Sequence, residues 1–310
     1  MKKNAQGLKG LFIVMFLAVA TLAQTDVPQI GAIVVGKGPE GVAFDGASIW
    51  VTNQFSNSVT KLRASDGALI GTFAVGKRPI GVAFDGDSVW VTNLLDDSVT
   101  KLQAANGAVI GTYAVGDGPG GIAFDGTNIW IANRFSDNVT KLRASDGAVL
   151  GTFAVGKRPI GVAFDGASIW VTNQFSNSVT KLRASDGALI GTFAVGNGPF
   201  GVALAPTPAG PNVWVANFFS KNVTKLRASD GAVLGTYTVG DGAAGVAFDG
   251  TNIWVANNGS NNVMKLRASD GAVLKTFAVG RGPFGVAMAP TSAGIHVWVA
   301  NFGSDTVSKL

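Results

Sequence analysis

The chain has one histidine, His296, one glutamate, Glu40, and no cysteine, which leaves little for acid–base or nucleophilic chemistry. His296 has neither a second ligand nor a triad partner nearby in sequence, so neither a metal nor a catalytic role is expected for it. The adjacent carboxylates Asp96 and Asp97 read as a solvated turn rather than an acid/base pair. The glycine-rich segments do not stand between a strand and a helix, as a phosphate loop would require. No cofactor and no metal are expected. What the residue types do support is recognition, by aromatic rings and cations carried on turns.

Those turns belong to a repeat. Trp50, Trp90, Trp130, Trp170, Trp214, Trp254 and Trp298 recur at 40 residues, with two intervals of 44. The unit from Gly36 to Val75 divides into four short strands separated by Gly-Pro, Asp-Gly and Asn-rich turns. Four short antiparallel strands per unit describe a propeller blade. A parallel β-helix is the rival, and the Asp-Gly hairpins argue against it, because tight turns cannot join parallel strands. The unit starting at Gly280 reaches Leu310 after three strands, and residues 29–35 match the fourth-strand pattern of residues 69–75. The expected fold is therefore all-β: a seven-bladed β-propeller with four antiparallel strands per blade, the last blade completed by the N-terminal strand.

Residues present in every copy read as architecture. The tryptophans are expected to pack between blades, and Asn53 and its six equivalents to support turns. Lys61 and its equivalents are expected to protect outer edges and snorkel. Recognition is sought instead where copies differ, on loops held by a rigid scaffold. The turns leading into the first strand read Lys37-Gly38, Lys77-Arg78, Asp117-Gly118, Lys157-Arg158, Asn197-Gly198, Asp241-Gly242 and Arg281-Gly282. The turns after the second strand, on the same face, carry Phe55, Leu95, Phe135, Phe175 and Phe219, then Gly259 and Gly303. The candidate binding residues are thus Lys77, Arg78, Lys157, Arg158, Phe55, Leu95, Phe135, Phe175 and Phe219. The alternative for the apolar ones is that they fold inward and cap the blades. Longer turns at residues 205–211 and 289–296 lie on the opposite face and read as decoration.

The phrases Ile49-Trp50-Val51-Thr52-Asn53, Ser56-Asn57-Ser58-Val59-Thr60 and Gly38-Pro39-Glu40-Gly41-Val42-Ala43-Phe44-Asp45-Gly46 resemble the YVTN-type β-propeller repeat, with Trp where that family often has Tyr. The resemblance covers nearly the whole chain beyond residue 23 and implies the propeller fold. It implies no single activity, because the family spans surface-layer, binding and enzyme-associated propellers. Streptogramin (virginiamycin B) lyases are similar in blade length, but that family relies on a histidine and glutamate cluster with magnesium. His296 and Glu40 are too few residues to carry that site over.

Residues 1–23 read as a secretory signal: Lys2, Lys3 and Lys9, an apolar stretch from Leu11 to Ala20, then small residues before a cut at Gln24. That stretch is shorter than the roughly 20 residues a membrane span needs. Residues 24–310 then form a single domain, expected in the periplasm, at the cell surface or in the medium, with no membrane span after cleavage. Without those three lysines the 24 basic residues fall to 21 against 19 acidic ones, which gives no case for nucleic acid. The expected protein is a monomeric binding or scaffold module without catalysis, whose partner is an envelope protein, peptide or glycan. The alternatives are a streptogramin-lyase-like enzyme and a purely structural envelope component.

Overall fold

The computed structural model describes residues 30–310, so the expected signal at 1–23 lies outside the described residues. Strand β1 covers Ile30–Val34. Blade one follows as β2 (Pro39–Phe44), β3 (Ser48–Asn53), β4 (Ser58–Arg63) and β5 (Leu69–Ala74), hydrogen-bonded in chain order. Strands β6 to β25, from Pro79–Phe84 to Val273–Ala278, build blades two to six in the same way. Blade seven consists of β26 (Pro283–Thr291), β27 (Gly294–Asn301), β28 (Thr306–Lys309) and, outermost, β1. The β1 pairing is antiparallel, with Ile33 opposite Val307 and Val34 opposite Thr306. This is a closed seven-bladed propeller.

The innermost strands touch all the way around. A Cβ on Gly41 would lie 2.4 Å from the carbonyl oxygen of Ile80 in the next blade, and one on Gly285 would lie 2.3 Å from that of Glu40. Real Cβ atoms do not approach so closely, so glycine at this point is what lets seven blades converge. The sequence suggests a first strand apolar on both faces and buried. Beyond Glu40, β2 is only half-buried, because it lines the channel instead of lying between blades. Strand β3 is buried throughout.

Between blades, each tryptophan leans on the next copy. Trp50 shares a cluster with Val89, Val91 and Leu102 of blade two, and Trp298 with Ile49, Val51 and Leu62 of blade one. The indole Nε1 of Trp50 donates to Asp45 Oδ2 at 2.7 Å, and the same carboxylate accepts the Ala47 and Ser48 amides through Oδ1. The repeated Asp-Gly turn therefore holds the core ring as well as reversing the chain. Blades five and seven have longer turns and no aspartate there, and Trp214 and Trp298 keep a buried Nε1 without a partner.

Lysines expected at the outer edges are found inside. Lys61 is buried, donates to the Ala104 carbonyl of blade two at 2.6 Å and places its ammonium 5.1 Å from the Trp50 ring centre. Lys309 makes the same tie from blade seven to the Ser65 carbonyl of blade one. Its pKa is pushed down by burial. The reason is geometric: the third strand's side chain spans the gap between blades, where an unpaired carbonyl and an indole face give it two favourable contacts. The conserved-looking asparagines are buried too, with Asn53 Nδ2 bridging to Thr60 Oγ1 at 2.8 Å across the second hairpin.

Candidate functional site

Two positions per blade bring side chains to the channel mouth on the leading-turn face. One, in the first strand, reads Glu40, Ile80, Gly120, Ile160, Phe200, Ala244 and Phe284. The other, just after the second-strand asparagine, reads Gln54, Leu94, Arg134, Gln174, Phe218, Asn258 and Phe302. Convergence at the axis is visible because non-adjacent blades touch. Arg134 of blade three reaches Glu40 of blade one at 3.6 Å. Phe200 of blade five meets Phe284 of blade seven with ring centres 5.7 Å apart.

Small residues make these reaches possible. A Cβ on Gly120 would lie 2.4 Å from Arg134 Nε, so the guanidinium lies across a position that must lack a side chain. Ala244 does the same under the Phe200–Phe284 contact, being the small residue of the blade between them.

The mouth is therefore two-sided. On blades one to four it has a polar network beside Ile80, Leu94 and Ile160: Gln54 Nε2 donates to Glu40 Oε2 at 2.7 Å, and Arg78 Nη2 donates to Gln54 Oε1 at 2.8 Å. On blades five, seven and one it is aromatic, with Phe218, Phe200, Phe284, Phe302 and Phe55 in contact at 5.3–5.9 Å. Arg78 and Arg158 both act on the Arg134 guanidinium, and the carboxylate at the mouth, Glu40, is pulled on by Arg134 and Arg78. Burial pushes the Glu40 carboxyl up, against the pull of Arg134 and Arg78. Burial likewise lowers Arg134, and the neighbouring Arg158 and Arg78 lower it further while Glu40 opposes them. The Nε atoms of Arg78, Arg134 and Arg158 are buried without hydrogen-bond partners. Three half-buried guanidiniums beside one carboxylate are suited to receiving negative charge.

The nine residues singled out from sequence fall into two groups. Arg78 and Arg158 belong to the mouth. Each has positive φ, 53° and 52°, at a position that is glycine in the other five blades. Lys77, Lys157, Leu95, Phe135, Phe175 and Phe219 stand on the surrounding rim, as does Phe55, whose ring meets Phe302 of the mouth. The apolar ones do not cap the blades: Phe55, Leu95, Phe135, Phe175 and Phe219 are each more than half exposed. Lys157 pairs with Asp137 at 2.8 Å and Lys77 with Asp96 at 3.8 Å, both exposed and therefore weak. Arg158 rests 4.7 Å over the Phe175 ring and Arg78 5.6 Å over Phe55, which joins the two groups.

Sequence reasoning missed Glu40, Gln54, Arg134, Gln174 and the Phe200, Phe218, Phe284 and Phe302 wall. The signal was present, since these two columns differ in residue class from copy to copy while the adjoining Gly41 and Asn53 columns repeat in every blade. His296 lies toward the other end of blade seven, opposite Ala289 in the β26–β27 pairing, whereas Pro283 and Asn301 pair at the mouth end. Among the described residues no three histidine, cysteine, aspartate or glutamate side chains gather to hold a metal.

Fold and mouth together define a seven-bladed propeller in which, apart from two longer turns at the opposite end, most changes of residue class between copies collect at one end of the channel. Solved propellers share the architecture at low identity. A streptogramin B lyase structure superposes with a TM-score of 0.75 at 19% identity, covering 90% of this chain and 95% of the other. Hydrazine synthase of Kuenenia stuttgartiensis gives 0.76 at 19%, covering 94% and 99%. Virginiamycin B lyase from Staphylococcus aureus gives 0.75 at 17%, covering 91% and 97%. No family model and no curated protein matches the chain.

Proposed function

We propose that this chain is an exported, monomeric binding propeller that presents its leading-turn face to an envelope protein, peptide or glycan, without catalysis. The observation that carries the reading is the division of labour between residues. Tryptophans, lysines and asparagines that build the blades repeat, whereas, apart from the two longer turns on the opposite face and a few scattered positions, the changes of residue class between copies lie at one channel mouth and its rim. Exposed Phe135, Phe175 and Phe219 supply contact area, and Arg78 and Arg158 supply charge-assisted donors. Glycan and peptide arrays probed with the wild type and with a Leu95→Ser/Phe135→Ser variant test the rim. The variant is expected to melt as the wild type does and to bind its best array partner at least tenfold more weakly. Equal binding would favour a purely structural envelope role. Export rests on the basic start and short apolar stretch of residues 1–23, and mass spectrometry of the exported protein is expected to find an N-terminus near Gln24. An intact Met1 in the cytoplasm would contradict it.

A lyase-like reading has less behind it. The similarity to lyase structures lies below 20% identity and concerns the fold. The lone histidine is in blade seven, away from the mouth end of its strand, and the lone glutamate is at the mouth in blade one.

A further inference from the structure

We propose that the channel mouth binds one apolar carboxylate, with its charge between Arg134 and Arg158 and its apolar body against the phenylalanine wall. The proposal rests on the reading that the leading-turn face is a binding face, and it gives that face a discrete ligand class.

The argument starts from two arginines in equivalent places. Arg78 and Arg158 occupy the same turn position in blades two and four. Arg78 meets Gln54 of the preceding blade, which accepts its hydrogen bond at 2.8 Å. At the position of Gln54, the blade preceding Arg158 has Arg134. A guanidinium has five donors and no acceptor, so it cannot answer Arg158 as Gln54 answers Arg78. Arg134 has Glu40 at 3.6 Å on its other side. Among the described residues no carboxylate pairs with Arg158, whose charge rests over the Phe175 ring. The Nε of each is buried and unpartnered. Two like charges side by side, one of them without a counterion, repel at a cost that an anion between them removes.

Backbone conformation gives independent support. An L residue at φ 52° is strained, and in five blades this turn uses glycine at φ 61–68°. Arg158 is held there against that preference. Strain that local architecture does not need points to a function for the side chain.

The wall decides the ligand class. Phe200, Phe284 and Phe302 form a continuous aromatic surface, with ring centres 5.7 and 5.5 Å apart, on the other side of the same mouth. A hydrated phosphate or sulfate would leave that surface unused and partly desolvated. A carboxylate joined to an apolar group fits both sides, since its two oxygens match the guanidinium fork and its body covers the rings. Such chemistry is offered by a small aromatic or acyl acid, and equally by the C-terminal carboxylate of a peptide ending in an apolar residue.

Calorimetric titration of the full chain at low salt tests this, with 3-phenylpropanoate as the probe. One-to-one saturable binding is expected, falling at least tenfold in Arg158→Gly and in Arg134→Gln. Arg158→Gly is chosen because five blades already have glycine there, so its melting temperature should equal or exceed that of the wild type. 3-Phenylpropanol and inorganic phosphate are expected to bind at least tenfold more weakly than the acid. Two further arms, Gly-Gly-Phe and its C-terminal amide, separate the sources. Peptide binding that amidation abolishes assigns the site to peptide termini, and binding of the free acid alone assigns it to small acids. The proposal is overturned if the alcohol or phosphate binds as well as the acid, if Arg158→Gly binds unchanged, or if no probe binds. The Leu95→Ser/Phe135→Ser rim variant should retain the acid. Loss of rim binding partners with the acid still bound would therefore remove the rim reading alone.

Discussion

Removing residues 24–35 is expected to abolish the sharp unfolding transition of the intact chain, or to lower its midpoint by tens of degrees. The described part of that segment, β1, is the fourth strand of blade seven and pairs with Thr306–Lys309. Ile33 and Val35 pack into the cluster that joins Trp298 and Val307 to Ile49, Val51 and Leu62 of blade one. Losing two aliphatic anchors costs about 2–5 kcal/mol each on the scale of large-to-small core substitutions. The lost strand ladder adds about 1 kcal/mol per hydrogen bond, and the sum rivals the whole stability of an ordinary domain, roughly 5–15 kcal/mol. The deletion also bares β28, a strand edge at the point where the ring closes. Circular dichroism during thermal and urea unfolding measures the effect. A synthetic peptide of residues 24–35 added in trans should restore the transition. A deleted chain that unfolds like the intact one would mean that blade seven does not depend on β1.

Tryptophan replacement is expected to have the next largest effect, and to differ between blades. Trp50→Ala should cost about 3–5 kcal/mol, as loss of a fully buried large ring does. The sharper comparison keeps an aromatic ring. Trp50→Phe removes the donor that Asp45 Oδ2 accepts at 2.7 Å, leaving a buried acceptor less well satisfied, at about 1–3 kcal/mol beyond the change in ring size. Trp214→Phe removes an Nε1 that already lacks a partner, so that part of the cost should be absent. Urea titration of the two phenylalanine variants decides it. Equal costs would show that the indole–aspartate bond adds nothing measurable.

How much could be read from sequence depended on what the repeat could reveal. The blade count, strand order and closing strand followed from periodicity, because each propeller blade is one repeat and the ring must close. The sevenfold lysines were placed wrongly because a period-two strand pattern tells which face a side chain takes but not what lies beyond that face. For Lys61 that is the Ala104 carbonyl of another blade, a contact 43 residues away in sequence. The mouth was half legible. Arg78 and Arg158 stood out as pairs with lysine in a turn that otherwise ends in glycine. Arg134 did not, since its meaning comes from reaching over Gly120 to Glu40, and no local pattern encodes a contact across the channel. Nor could the sequence decide between exposed and inward phenylalanines, since strand-flanking apolar residues adopt either arrangement.

Nuclear magnetic resonance of the arginine Nε–Hε groups tests the central claim most directly, because it distinguishes the mouth from the rest of the surface. Arg78, Arg134 and Arg158 lie at the mouth, whereas Arg63, Arg143, Arg183, Arg227 and Arg267 sit exposed at the outer turns, each paired to an aspartate three residues on. On titration with 3-phenylpropanoate, saturable shifts are predicted for Arg134 and Arg158, with smaller ones for Arg78 and none for the outer five. Shifts confined to the outer arginines, or uniform across all nine arginines including Arg281 of the blade-seven turn, would contradict a binding site at the channel mouth.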